Sequence, residues 1–147
     1  MTGNLAENVV SAEQRAMVEH VYQEWDRAWS EDDLDAMIAL YAPDAVLESP
    51  LVPHLRGTSN GVCRGREAIR ELLEIAAPRK PHRRTFYRKG YFTDGRLLLW
   101  EYPRETPEGE QMDFVEVMEI ENGLIKRHRV YWGWTGVEII KTDAYHK

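Results

Sequence analysis

The stretch from Phe114 to Trp132 constrains the fold more than any other part of the chain. It consists of two runs of alternating apolar and polar residues joined by Asn122-Gly123. Asn and Gly both tolerate the positive φ that a tight hairpin turn requires, so two antiparallel strands meeting at this dipeptide are predicted. Strand residues alternate between the two faces of a sheet, so the pairing register decides which side chains meet. With a three-residue loop and Gly123 as the bulge, Ile120 lies opposite Leu124, Met118 opposite Lys126, Glu116 opposite His128 and Phe114 opposite Val130. One face then reads Phe114, Glu116, Met118 and Ile120 beside Leu124, His128, Val130, Trp132 and Trp134. A two-residue loop pairs Glu116 with Arg129 instead. The first register gathers more apolar residues on one side, and it sets an acid and an imidazole among them, the pattern of a buried polar site.

With 147 residues, 43% of them hydrophobic and 30% charged, the chain suits one compact domain over residues 1–147 with its core at about 11–134. Lys plus Arg number 19 and Asp plus Glu 25, a net charge of −6, which disfavours non-specific binding to nucleic acid. The local exception is Arg79-Lys80-Pro81-His82-Arg83-Arg84 with Arg88 and Lys89, which reads as a solvated connector and one strand face, with contact to an anionic ligand or a partner surface as the alternative. The lone cysteine, Cys63, excludes an internal disulfide and fits a reducing compartment. It has no base nearby in sequence and reads as a bystander. No run is long enough for a membrane span, and Met1 to Val10 lacks the basic start and apolar core of a signal peptide, so a cytoplasmic location is expected.

Ser11-Ala12-Glu13-Gln14 has the form of a capping box and starts a helix. Its apolar residues, from Met17 and Val18 to Trp25, Ala28 and Trp29, recur at three and four positions up to Ser30. Asp32-Asp33 offers a second N-cap for a short helix running to Tyr41 and stopped by Ala42-Pro43. Ala45 to Ser49 reads as a short strand and Pro50 to Gly65 as a long surface loop of the kind that forms lids. Arg66 to Ala77 reads as a third helix. Beyond it the period changes to two over Thr85 to Thr93, Arg96 to Arg104, Gln111 to Glu121 and Leu124 to Trp134, with turns at Asp94-Gly95, Pro107-Glu108-Gly109 and Asn122-Gly123. Three N-terminal helices followed by a meander predict an α+β fold, in which a curved antiparallel sheet wraps the helices as a cone with an apolar cavity.

Glu116 and His128 are the candidate catalytic residues. The imidazole suits proton shuttling near neutral pH, and the carboxylate can orient it or stabilise its cation; a satisfied polar pair without turnover is the competing reading. The candidate ligand wall comprises Trp25, Trp100, Tyr102, Phe114, Met118, Trp132 and Trp134. Arg104, two residues beyond Tyr102, can close the rim against an anionic group or face solvent, and His54 and Arg56 lie on the lid side. Asp113, on the opposite parity from Glu116, is expected outside. No metal-ligand spacing, glycine-rich phosphate cradle or Gly-x-Ser-x-Gly elbow occurs, so neither metal nor cofactor is expected.

Asp33-Leu34-Asp35-Ala36-Met37, leading into Leu40-Tyr41-Ala42-Pro43-Asp44-Ala45-Val46-Leu47-Glu48-Ser49-Pro50, then Gly65-Arg66-Glu67-Ala68-Ile69 and the Asn122-Gly123 hairpin, resembles the NTF2-like superfamily. More narrowly it resembles the SnoaL-like and ketosteroid-isomerase-like branch, from about Ser11 to Trp134. The resemblance implies isomerases, polyketide cyclases, dehydratases, epoxide hydrolases or proteins that only bind ligands or partners. Position by position, Ser49 stands where the ketosteroid isomerases carry their Asp base, which makes it a wall residue here. Trp25 stands at the tyrosine donor and Glu116 at the acidic oxyanion donor. Many SnoaL-like proteins have an acid and a His at the Glu116 and His128 positions, with a further Asp where this chain has Val130.

The function expected is cofactor-independent proton transfer on a small apolar or keto-bearing molecule, with a ligand-binding or scaffold module as the alternative. A homodimer is expected through the outer sheet face, to which the preferred register assigns Val115, Val117, Ile125 and Tyr131.

Overall fold

The computed structural model describes residues 9–80, 85–86, 88–105, 109 and 111–142. Residues 81–84 of the basic stretch, the Pro107-Glu108 turn and the start of the chain up to residue 8 lie outside the described residues. Helix α1 (Ala12–Ser30) opens on the expected capping box: Ser11 Oγ accepts from the Gln14 amide at 3.0 Å, and Gln14 Oε1 accepts from the Ser11 amide at 3.0 Å. Val18, Val21, Tyr22, Trp25 and Ala28 form its buried face. Helix α2 (Leu34–Ala39) begins on Asp33, whose carboxylate accepts from the Ala36 amide. It ends before Tyr41, two residues earlier than the sequence predicts.

Tyr41 instead begins strand β1 (Tyr41–Glu48). Pro43 lies in the irregular part of this strand, between the Tyr41/Ile125 and Val46/Arg127 pairs, where the ladder to its neighbour is interrupted and a missing N–H is tolerated. The predicted long loop after Pro50 holds two elements, helix α3 (Leu51–Arg56) and strand β2 (Val62–Arg64), the latter antiparallel to β1. Its punctuation residues are helix ends: Pro50 is the N-cap and Gly57, at φ 65°, the C-cap. Helix α4 (Arg66–Ala76) follows and runs into a short 3₁₀ turn (Ala77–Arg79).

The predicted strand from Thr85 to Thr93 is two short ones, β3 (Thr85–Phe86) and β4 (Phe92–Thr93), both antiparallel to β5 (Leu97–Glu105). Strands β5, β6 (Gln111–Glu121) and β7 (Leu124–Trp132) form the expected meander. The sheet order is β2-β1-β7-β6-β5-β3, with β4 also on β5. It is not wholly antiparallel, because β1 runs parallel to β7. The last strand stops at Trp132 and helix α5 (Trp134–Lys141) follows, so Trp134 leaves the sheet and is 81% exposed. The architecture is α+β, with helices α1, α2 and α4 packed against a mostly antiparallel sheet over one apolar core. No described helix is long and apolar enough to cross a membrane.

Candidate active site

The site depends on the β6/β7 register, and that register differs from the preferred expectation. Asn122 (φ 52°) and Gly123 (φ 76°) form a two-residue turn, with Glu121 opposite Leu124 and Ile120 opposite Ile125. Such a turn alone would carry Glu116 to Arg129. The ladder slips once more, from Ile120/Ile125 to Glu119/Arg127, so Lys126 is an extra residue on β7. This bulge brings Met118 opposite His128, Glu116 opposite Val130 and Phe114 opposite Trp132. Glu116 and His128 therefore share the inner face as diagonal neighbours rather than direct partners. Ile125, expected outside, is fully buried in the core for the same reason.

Glu116 is 2% exposed and His128 3% exposed. Their side chains touch: His128 Nε2 and Glu116 Oε2 share a short hydrogen bond. Tyr102, on β5, donates its hydroxyl to Glu116 Oε1 at 2.7 Å. The Tyr41 hydroxyl lies 2.8 Å from His128 Nδ1. Parallel pairing of β1 with β7 delivers Tyr41 here, since it is in register with Ile125 while Leu47 is in register with His128. A continuous hydrogen-bonded row Tyr41, His128, Glu116, Tyr102 thus crosses four neighbouring strands. Burial pushes the Tyr41 phenol well above the usual tyrosine range; the Trp25 indole N–H opposes this in part, and the Glu116 carboxylate adds to it. The Trp25 N–H bears on the Tyr41 oxygen without meeting hydrogen-bond geometry.

This row lines a cavity of about 100 Å³ between the sheet and helices α1, α2 and α4. Trp25, Trp29, Phe114 and Trp132 form an aromatic wall together with the two tyrosines, and Leu47, Leu72 and Val130 complete the apolar surface. Tyr102 stacks on Phe114 with centroids 5.1 Å apart, Phe114 meets Trp132 edge-on at 4.6 Å, and Trp25 stands edge-on to His128 at 6.0 Å. Two cations share the lining, Arg104 and Lys80. Arg104 is buried, with its guanidinium 6.0 Å from the Phe114 ring centre. Lys80 sits 4.3 Å over the Trp29 ring and pairs with Asp32.

Of the residues proposed from sequence, Glu116, His128, Trp25, Ser49, Tyr102, Phe114 and Trp132 meet at the cavity, as does Arg104. Ser49 Oγ is occupied locally, accepting from the Leu51 amide at 3.2 Å. Trp100 and Met118 do not line the cavity. Both are fully buried behind it, Trp100 edge-on against Tyr22 and Trp25. Trp134 is on the surface, and Arg56 holds the Ala68 carbonyl at 2.8 Å on the outside of α4. Burial pushes the Cys63 thiol up, which suits an inert buried side chain. Among the described residues no three of His, Cys, Asp and Glu come together as metal donors.

Tyr41 and Trp29 line the cavity without being among the site residues proposed from sequence, and Lys80 lines it from the basic stretch whose preferred reading is a solvated connector. Trp29 carried a signal, one helical turn beyond Trp25 on the same face of α1. Tyr41 carried none while it was read as the end of α2.

The sequence matches the SnoaL-like domain over residues 22–128. No curated protein matches it. Solved structures share its fold at low identity. An NTF2-like protein of unknown function from Burkholderia pseudomallei has a TM-score of 0.67 and 17% identity, over 84% of this chain and 95% of that one. A steroid delta-isomerase from Pseudomonas aeruginosa has a TM-score of 0.66 and 18% identity, over 92% and 91%. A Mycobacterium tuberculosis protein in complex with estradiol-17beta-hemisuccinate has a TM-score of 0.61 and 19% identity, over 81% and 95%. The domain match takes in most of the described chain, including Tyr41, Glu116 and His128, and the protein belongs to the SnoaL-like domain family, with the NTF2-like fold.

Proposed function

We propose that the protein is a cofactor-independent enzyme that moves a proton on a small, largely apolar molecule bearing a ketone or enol. The observation that carries this reading is the contact between Glu116 and His128 inside an aromatic-lined cavity. A carboxylate beside an imidazole is the acid/base equipment needed to take a proton from carbon next to a carbonyl and return it elsewhere. The electron pair left behind passes to the carbonyl oxygen, where Arg104 supplies positive charge on the same lining. Isomerisation, cyclisation and dehydration all begin with this step. An apolar cavity of about 150 Å³ takes one benzene ring, so a site of about 100 Å³ admits one end of a ligand and takes a whole ring only if its walls part.

One observation favours a second reading, a module that binds such ligands without turnover: both nitrogens of His128 and both oxygens of Glu116 already have protein partners. One experiment separates the two. Cyclic ketones and enols are incubated with the protein in D₂O, and exchange at the carbon next to the carbonyl is followed by NMR. Exchange that falls on the order of 10² to 10⁴ fold in Glu116→Gln, with ligand binding retained, supports the enzyme. Binding without exchange in the wild type, or exchange undiminished in the variant, rejects it.

The assembly is proposed to be a homodimer through the outer sheet face, where Val115 and Tyr131 are paired across β6 and β7 and Val117 lies in the next row. Tyr131 is 56% exposed there. A monomer in sedimentation at tens of micromolar removes that proposal. A cytoplasmic location accords with the single reduced, buried thiol.

A further inference from the structure

The hydrogen-bonded row through the cavity wall has a direction. Each link needs one proton between its heavy atoms: one between Tyr41 Oη and His128 Nδ1, one between His128 Nε2 and Glu116 Oε2, and one between Tyr102 Oη and Glu116 Oε1. A neutral imidazole carries one N–H and one bare nitrogen, and the partner of each nitrogen decides which is which. Tyr41 is 1% exposed. Among the described residues, His128 Nδ1 is the acceptor within reach of its hydroxyl. The other polar group bearing on its oxygen is the Trp25 indole N–H, a donor only. If Nδ1 carried the hydrogen, two donors would converge on the Tyr41 oxygen and its own buried O–H would lose its acceptor.

We propose that Tyr41 fixes His128 as the Nε2–H tautomer by donating to Nδ1, so that the imidazole donates to Glu116 and the Glu116 carboxylate is the proton acceptor of the pair. The strong preference of buried Tyr41 for its neutral form keeps the donor in place. His128 then has no free lone pair for substrate. It positions Glu116 from one side as Tyr102 does from the other, and each carboxylate oxygen retains a lone pair for a ligand. Tyr41 is a positioning residue acting through His128. Assigning the base to Glu116 rests on the proton-transfer reading, whereas the tautomer itself does not.

The test is spectroscopic and uses the whole protein labelled with ¹⁵N-histidine. The His128 ring nitrogens are assigned through its backbone resonances. The expected wild-type spectrum at neutral pH shows Nδ1 at the shift of a bare, pyridine-like nitrogen and Nε2 at that of a protonated, pyrrole-like one. The Tyr41 hydroxyl proton is expected to correlate with Nδ1 across the hydrogen bond. In Tyr41→Phe the Glu116 carboxylate still accepts from Nε2–H, so the expected change is at Nδ1, which loses its donor and moves further toward the shift of a bare nitrogen without a hydrogen bond, whereas in Tyr102→Phe the wild-type pattern persists. A protonated Nδ1 in the wild type, as the other tautomer or as imidazolium, overturns the proposal, and so does an unchanged Nδ1 shift in Tyr41→Phe. Should Tyr41→Phe not fold, the wild-type shifts and the hydroxyl correlation decide alone. Absence of D₂O exchange together with the expected pattern upholds Tyr41 as the tautomer-setting residue and removes only the catalytic reading.

Discussion

Glu116 reaches His128 diagonally: its direct partner across β6 and β7 is Val130, and the imidazole belongs to the pair formed by Met118. Diagonal neighbours on antiparallel strands stand roughly 7–8 Å apart, a span that glutamate and histidine bridge together. Glu116→Asp removes one methylene from that span and is expected to break both contacts of the carboxylate. His128 Nε2 and the Tyr102 hydroxyl would then face a buried gap. An unsatisfied buried polar group costs about 1–3 kcal/mol, so the unfolding free energy should fall by about that amount, seen as a lower urea midpoint at unchanged slope. Glu116→Gln preserves the reach and should lose less. An aspartate variant as stable as the wild type would show that the diagonal contact contributes nothing.

The bulge at Lys126 permits a sharper test of register. The pairs flanking it, Ile120 with Ile125 and Glu119 with Arg127, are those of an uninterrupted ladder once Lys126 is taken out. Deleting Lys126 should therefore leave His128 facing inward. The loss is its exposed ion pair with Asp44, a contact of little net worth at a surface. Cross-strand NOEs between Met118 and His128 should survive the deletion. Finding Arg129 on the cavity side instead would mean that the bulge, and not the pairing beyond it, orients the strand.

The sequence carried the face of the site better than its register. Alternation in Phe114 to Ile120 and the need to bury Val130 and Trp132 are parity signals, and a displacement of two residues leaves parity intact. A turn plus a bulge therefore gave the same inner face as the single longer loop inferred from the sequence, and Glu116 and His128 met despite wrong partners. Ile125 fell on the wrong face because it lies between the turn and the bulge, where parity is locally reversed. Tyr41 was hidden for another reason. Its role comes from parallel pairing of β1 with β7, a contact between residues far apart in sequence that local periodicity does not encode. The helix at Leu51–Arg56 was missed because Pro50 and Gly57 mark helix ends and loops with the same residues.

Tyr41 also predicts how the protein responds to alkali. Its phenol is held above the ordinary value of 10.0, first by burial. The folded state therefore keeps this proton at pH values where the unfolded chain has lost it. The stabilisation is complete below pH 10 and is lost progressively as pH rises from there toward the folded-state pKa. Stability measured by urea unfolding should decline above about pH 10, and part of the decline should vanish in Tyr41→Phe, which has no proton to lose. A variant with the same alkaline slope as the wild type would assign the effect to the other tyrosines.

Arg104 should decide between charged and neutral ligands. It lies on β5 beyond Tyr102, is buried, and lines the cavity on the side of Phe114. A cation in a low-dielectric wall favours a ligand carboxylate or enolate over a neutral oxygen of the same shape, because the charged hydrogen bond is the stronger one. Hydrogen bonds to charged groups contribute about 1.5–3 kcal/mol, so Arg104→Met should weaken an arylacetate roughly 10- to 100-fold. The matching arylethanol should change far less. Calorimetric titration of both ligands against both proteins measures the difference, and the Trp25, Trp29 and Trp132 rings give an optical signal of occupancy. Equal losses for acid and alcohol would place the charge of Arg104 away from the ligand, leaving Lys80 as the cation on the lining that sets this preference.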